Sequence, residues 1–116
     1  MDTKIRLLEQ LYGRFNARDI DGVLASLTDD VAWANGMEGG HVHGPEAIRA
    51  YWTHQWSVID PRVEPVGFHR RDGDTIRVDV RQIVHDLKGT LLADAVVGHV
   101  FRFRGGKVAR FDIEDA

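Results

Sequence analysis

The fold is decided by residues 75–114, which read TIRVDVRQIVHDLKGTLLADAVVGHVFRFRGGKVARFDIE. Apolar and polar residues alternate along this stretch with a period of two, which is the pattern of half-buried β-strands. Turns that contain glycine divide it into strands predicted at 75–86, 91–104 and 107–114. A further strand is predicted just before them, at 63–71. The second half of the chain therefore predicts a curved, largely antiparallel sheet.

The turn between the strands at 75–86 and 91–104 determines which side chains share a face. Asp86 at the first turn position and Gly89 at the fourth are typical of a three-residue hairpin loop, which places Thr90 opposite Asp86. A two-residue loop would instead bring Val78 and Gln82 to the face of His99, because a slip of one residue exchanges the faces.

The three-residue loop predicts one polar and one apolar face. The polar face carries the following side chains: Arg77, Asp79, Arg81 and His99. The apolar face carries a set rich in valine: Ile76, Val78, Val80, Val84, Val96 and Val100.

The first half of the chain predicts three helices. Apolar residues recur every three or four positions from residue 5 to residue 15, and again after Asp19, which can cap a second, shorter helix. Pro45 suits the first turn of a third helix that runs to about residue 57. Between the second and third helices we expect a short strand at 31–35 and a glycine-rich loop at 36–44.

The composition restricts the partners that can be expected. A length of 116 residues suits one domain, covering residues 1–116. The net charge of −3, with scattered Lys and Arg, provides no basic face for nucleic acid or anionic lipid. The first ten residues, MDTKIRLLEQ, mix charges among apolar residues and predict neither a signal peptide nor a membrane span. The absence of cysteine fits a reducing cytoplasm, where we expect the protein.

Three motifs in order resemble the nuclear transport factor 2-like superfamily and its SnoaL-like branch. They are FNARDIDGVLASLTDDVAW at 15–33, HGPEAIRAYW at 43–52 and VFRFRGGKVARFDIE at 100–114. The resemblance implies an α+β cone-shaped half-barrel, in which a strongly curved mixed or antiparallel sheet wraps around three N-terminal helices and leaves a pocket at its open end. It also implies a homodimer through the convex sheet face, in agreement with an apolar valine face that no helix remains to cover.

The superfamily includes ketosteroid isomerase, polyketide cyclases, epoxide hydrolases and dehydratases, so the resemblance alone selects no reaction. Alignment with the isomerase puts Asn35 at the position of the catalytic base, Leu11 at that of the tyrosine and His99 at that of the protonated aspartate. An amide cannot accept a proton at neutral pH, so steroid isomerase activity is not expected. SnoaL-type cyclases use an acidic residue on the last strand, but alternation puts Asp112 and Glu114 on the outer face.

His99 is the leading candidate for proton transfer, because an imidazole with a pKa near 6.5 can exchange protons at working pH. On the same face, Asp79 would orient the imidazole as a second catalytic residue and Arg81 would hold an oxygen of the substrate. The alternative is that His99 is a hydrogen-bonded core histidine while Asp79 and Arg81 are solvated.

Further candidates would contact the ligand directly. Asn35 can hold a carbonyl or hydroxyl group, or can simply end a strand. His41 is expected at the pocket mouth, and no metal is expected at the H-x-H pair that it forms with His43. Four aromatic side chains either contact a ring of the ligand or serve only to pack the core: Trp33, Trp52, Trp56 and Phe101.

No nucleophile elbow, Walker loop or dinucleotide motif is present, so no cofactor is expected. The sequence predicts a pocket for a small, largely apolar organic molecule with oxygen groups. Cofactor-free acid/base chemistry, such as isomerisation, cyclisation, dehydration or hydration, is one interpretation. A non-catalytic binding module and a dimeric interaction domain are the alternatives.

Overall fold

The computed structural model describes residues 2–115, which form three helices and one six-stranded sheet. The helices are α1 (Thr3–Asn16), α2 (Ile20–Leu24) and α3 (Pro45–Val58). The strands are β1 (Leu27–Ala34), β2 (His41–His43), β3 (Ile59–Arg70), β4 (Thr75–Asp86), β5 (Leu91–Arg104) and β6 (Lys107–Asp115). Their order in the sheet is β2-β1-β6-β5-β4-β3, with β1 parallel to β6 and the other neighbours antiparallel. The predicted α+β class, with three leading helices and a mixed sheet, is confirmed.

The helices α1 and α2 begin at side chains that satisfy their first backbone N–H groups. Asp2 accepts from the backbone of Lys4 and Ile5 at the start of α1, and Asp19 accepts from Gly22 N at 3.0 Å at the start of α2. Pro45 occupies the first turn of α3. The chain then passes directly into β3, four residues earlier than predicted, because the residue before a proline favours extended backbone.

The segment between α2 and α3 contains more strand than predicted. β1 begins at Leu27, four residues before the predicted start, and β2 lies inside the predicted loop, with His41 opposite Ala34. The polar residues at the start of β1 are held by side-chain contacts. Thr28 Oγ1 donates to Asp30 Oδ1 at 2.9 Å, and Arg104 also bonds to Asp30.

The hairpin between β4 and β5 has the predicted turn. Asp86 N donates to Thr90 O at 2.9 Å, and Gly89 N donates to Asp86 O at 3.1 Å. Gly89 has a φ of 92°, a left-handed conformation that glycine adopts without a steric penalty.

Beyond the turn, a β-bulge shifts the register by one residue. The pairs on either side of it are His85–Leu91 and Val84–Ala93, so Leu92 is an extra residue in β5. Val78, and not Arg77, therefore lies opposite His99. Because side chains alternate with a period of two, this single residue exchanges the faces relative to the prediction.

The exchange corrects two predictions. Asp79 and Arg81 lie on the outer face of β4, away from His99, so their predicted place on the face of His99 is wrong. The apolar set on β4 is not an uncovered surface, because it packs beneath the helices as core. Its buried members are Ile76, Val78, Val80 and Val84.

The outer face of the sheet carries polar and charged pairs. His69 Nε2 lies 2.7 Å from Asp79 Oδ2, and Arg77 Nη1 lies 3.4 Å from Glu114 Oε1. Arg77 lies flat over Gly98, where an added Cβ would be 2.6 Å from its Nη2 atom. The absence of a side chain at this position lets the guanidinium cross β5 and reach β6.

The core lies between the helices and the inner face of the sheet. Its largest fully buried side chains come from both layers: Leu8, Leu27, Ile48, Trp52, Ile76 and Phe101. None of the helices within residues 2–115 has the length and apolar character that a membrane span requires.

The exchanged faces can be tested with the same substitution on either side of the sheet. Val80 is 0% exposed and Val96 is 47% exposed. We expect Val80→Ala to lower the free energy of unfolding by about 2 kcal/mol, because it removes buried methyl groups and leaves a cavity. Val96→Ala should change it by less than about 0.5 kcal/mol. Urea unfolding measures both, and a larger loss for Val96→Ala would contradict the register.

Candidate functional site

A cavity of about 150 Å³ lies between α1, α3 and the inner face of the sheet. Its deep wall is formed by buried, mostly apolar side chains: Leu11, Tyr12, Trp33, Trp52, Val63, His99, Phe101 and Phe111. Met37 and Ile113 also line the cavity, and they are 39% and 42% exposed. These two residues mark the mouth through which the cavity opens to solvent.

Aromatic rings fix the shape of the walls. Trp33 stacks on Phe111, with ring centroids 4.1 Å apart, and meets Trp52 edge to face at 5.3 Å. Three of the four aromatic residues predicted at the site, Trp33, Trp52 and Phe101, line the cavity. The fourth, Trp56, is outside the lining and packs on Phe15 at 5.4 Å.

His99 is the polar centre of the cavity, and it is hydrogen-bonded to Tyr12. The Tyr12 hydroxyl lies 2.8 Å from His99 Nδ1, and the two rings stack at 5.9 Å. Tyr12 belongs to the buried stripe of α1, and the bulge in β5 turns His99 inward to meet it. Among the described residues, Nε2 of His99 has no hydrogen-bond partner, and the imidazole lines the cavity. The free ring nitrogen is therefore available to a ligand.

Burial keeps both partners uncharged. Desolvation lowers the pKa of His99 from 6.5 to about 3 and raises the pKa of Tyr12 well above 10. The expectation that His99 exchanges protons at working pH with a pKa near 6.5 is corrected, because the imidazole stays neutral there. The Tyr12 hydroxyl can donate to Nδ1 or accept from it, so Nε2 can present either a lone pair or a proton.

Sequence reasoning missed several polar groups of the site. Tyr12 lies one residue after the position that alignment with ketosteroid isomerase indicated. Gln82 lines the cavity, as the two-residue loop would have placed it. Tyr51 is near the mouth, where its hydroxyl accepts from Gly36 N at 3.1 Å and from Gln55 Nε2 at 3.2 Å. No sequence pattern indicated a binding role for Tyr51. It is one of several aromatic residues on the same face of α3, a pattern typical of core packing.

Besides Trp56, four predicted site residues are not in the lining. Asn35 Oδ1 accepts from the backbone of Met37 and Glu38 at 3.0 and 2.9 Å, so its side chain stabilises the turn after β1. His41 Nε2 lies 2.7 Å from Asp112 Oδ1, outside the cavity. The other two, Asp79 and Arg81, bond on the outer face to His69 and Asp94.

Three helices packed in a curved sheet around an apolar cavity are the architecture of nuclear transport factor 2-like proteins. The sequence identifies the family within this class. The family model of the SnoaL-like domain matches residues 8–111, and the chain belongs to this family. The resemblance inferred from the three motifs is therefore confirmed. A comparison with curated proteins found no match.

Solved structures share the fold over the whole chain. A nuclear transport factor 2-like protein of unknown function from Burkholderia pseudomallei is 30% identical, with a TM-score of 0.87, covering 100% of this chain and 92% of that one. TerC, co-crystallised with polyporic acid, is 29% identical, with a TM-score of 0.87 and coverage of 99% and 92%. A Mycobacterium tuberculosis protein in complex with estradiol-17beta-hemisuccinate is 16% identical, with a TM-score of 0.81 and coverage of 96% and 92%, which shows likeness of fold alone.

The neutral state of His99 predicts a pH dependence of stability. Its folded pKa, about 3, lies below the unfolded value, so the unfolded chain binds a proton between pH 6.5 and 3 while the folded chain does not. Stability is therefore lost as the pH falls below 6.5, with a slope of about 1.4 kcal/mol per pH unit from this group. Urea unfolding at pH 7.5 and 5.5 should show this loss, and His99→Gln should remove that part of it.

The matched control is His54→Gln, because His54 is exposed on α3. This substitution should leave the wild-type pH dependence in place. NMR provides a second measurement on the unmodified protein, in which the His99 ring signals should stay constant between pH 8 and 5. A titration of that ring near pH 6.5 would contradict the buried neutral imidazole.

Proposed function

We propose that this chain binds a small, flat and largely apolar organic molecule, and that His99 hydrogen-bonds an oxygen of that molecule. The observation that carries the proposal is the partnerless Nε2 atom of His99 in the wall of an aromatic cavity. A buried polar atom without a partner lowers stability, whereas the same atom gives orientation and specificity to a ligand that bonds to it.

The size of the cavity limits what it can enclose. Its volume is about 150 Å³, which equals that of an engineered apolar cavity that takes up benzene. One ring therefore fits within the walls, next to Trp33 and Phe111. A larger ligand must extend through the mouth beside Met37, whose unbranched side chain can adapt to different shapes.

The apolar walls and His99 have different roles in binding. Burial of a ring that covers about 150 to 250 Å² contributes roughly 4 to 6 kcal/mol before the costs of association. A single hydrogen bond contributes only about 0.5 to 1.5 kcal/mol. The walls therefore supply most of the affinity, and Nε2 of His99 determines how the ligand is oriented. The relative TerC, crystallised with polyporic acid, supports a small organic ligand.

Proton transfer is the second candidate function, and the Tyr12–His99 pair favours it. Tyr12 holds the imidazole at 2.8 Å, in the role that was expected of Asp79. Because Nε2 can carry a lone pair or a proton, the pair can pass a proton to or from a bound substrate without a cofactor. Isomerisation, cyclisation, dehydration and hydration all need such a step, and the choice among them depends on the ligand.

Ligand binding can be tested with polyporic acid as the probe and tryptophan fluorescence as the readout, since Trp33 and Trp52 line the cavity. Ala34→Phe fills the cavity and should weaken binding at least tenfold. Ala50→Phe, the same change on the exposed side of α3, should not affect it. His99→Phe keeps a ring without its nitrogens and should weaken binding about two- to tenfold, the equivalent of one hydrogen bond.

Equal affinity of wild type and Ala34→Phe would contradict the cavity as the binding site. Estradiol serves as a second probe, and absence of binding for both probes would count against the proposal. Product analysis after long incubation separates the two candidate functions. Unchanged probe supports binding alone, whereas conversion that disappears in His99→Phe supports proton transfer.

A homodimer through the outer sheet face stays a prediction, as does the cytoplasmic location. The buried valines of β4 no longer support the dimer. Its remaining support is that Val66 in β3 and Val96 in β5 are 62% and 47% exposed. Sedimentation equilibrium should give a dimer that Val66→Asp with Val96→Asp converts to a folded monomer. A wild-type monomer at all concentrations would contradict it.

A further inference from the structure

We infer that the cavity takes up its ligand only in the uncharged form, so that an acidic ligand such as a phenol binds with its proton attached. The inference rests on the proposed function, because it concerns the ligand of the same cavity. It goes further by assigning a charge state to that ligand and by coupling binding to pH.

The composition of the walls carries the inference. Lining residues come from α1, β1, α3, β3, β4, β5, β6 and the loop after β1, and none of them is Asp, Glu, Lys or Arg. The titratable residues among them are Tyr12, Tyr51 and His99. Burial keeps the Tyr12 hydroxyl and the His99 imidazole neutral, and it also raises the pKa of Tyr51. The walls therefore carry no charge over the physiological pH range.

The charged groups of Glu38, Arg18 and Asp112, which contact or adjoin lining residues, do not favour an anion. Glu38 near the mouth is close enough to Tyr51 for its negative charge to help raise the pKa of the phenol. Arg18 lies behind the wall, with its guanidinium carbon 5.6 Å from the Phe15 ring, and it is paired with Asp60. On the far side of β6, Asp112 is bonded to Arg110 and His41.

The physical cause is the loss of hydration. An anion that enters an apolar cavity loses its water, and the loss is offset only by a counter-charge together with several hydrogen bonds. The cavity offers hydrogen bonds from uncharged groups, such as the His99 imidazole and the Gln82 amide, and its lining contains no Lys or Arg. The neutral form of an acid therefore binds better, which by linkage raises the pKa of the bound acid.

The test compares two probes of similar shape, 4-nitrophenol and 4-nitroanisole. The first loses a proton near neutral pH, whereas the second is a methyl ether that cannot ionise. Equilibrium dialysis from pH 5.5 to 9 gives the dissociation constants, and the absorption spectrum of bound 4-nitrophenol distinguishes phenol from phenolate. We expect constant affinity for 4-nitroanisole. The affinity for 4-nitrophenol should fall tenfold per pH unit above its solution pKa, with the bound probe in the phenol form.

The outcomes separate this inference from the proposed function. Binding of 4-nitroanisole together with equal or tighter binding of phenolate would overturn the inference and leave the proposed pocket in place. Failure of 4-nitroanisole, polyporic acid and estradiol to bind would overturn the proposed function, and this inference with it.

A pair of variants at Gln82 tests the cause, because this side chain lines the cavity and is uncharged. Gln82→Lys adds an amine to the wall and should shift bound 4-nitrophenol to the phenolate form. Gln82→Met, of similar length without charge, should keep the preference for phenol. Binding of 4-nitroanisole checks that each variant retains the cavity. A lysine variant that passes this check and still excludes phenolate would contradict the missing counter-charge as the cause.

Discussion

The orientation of the site depends on one extra residue in β5, Leu92, because every side chain after it changes face. Burial explains why the bulge is stable. Without it, the apolar stripe of β4 would leave the core, and each valine or isoleucine exposed would cost about 1.5 to 3 kcal/mol. Four such side chains together outweigh the loss of regular pairing at a single position. The demands of the core thus set the register, and His99 faces inward as a consequence.

The Tyr12–His99 hydrogen bond lets a polar ring lie in this core. A buried imidazole without a partner would cost about 1 to 3 kcal/mol per unsatisfied group. At 2.8 Å, the tyrosine hydroxyl satisfies Nδ1, but no described residue does the same for Nε2. Nε2 is accessible from the cavity, where an oxygen group of a ligand can bond to it. Stability and ligand recognition are linked through one side chain.

The sequence predicted the bounds of β4 and β5 correctly and all three helices, since strong periodicity and capping residues specify them locally. The face predicted for Asp79 and Arg81 was wrong. The prediction took the β4–β5 register from the turn residues, whereas burial of the apolar side chains determines it. The signal for the correct face was present in β5, where His99 alternates with Phe101 and Phe103. Tyr51 and Gln82 were not assigned to the pocket, because the place of Tyr51 depends on how α3 packs against the sheet and that of Gln82 on the register set by the bulge.

Uncharged walls also restrict the chemistry that the site can perform unaided. The two positions that align with acidic groups of ketosteroid isomerase supply no charge here, because the Asn35 amide bonds to the turn after β1 and burial keeps the His99 imidazole neutral. An imidazole whose pKa is about 3 is a weak base, so it can remove only an acidic proton or one that a nearby group on the ligand helps to release. Any reaction in this cavity therefore depends on reactivity already present in the substrate. The protein would add orientation, exclusion of water and one proton carrier.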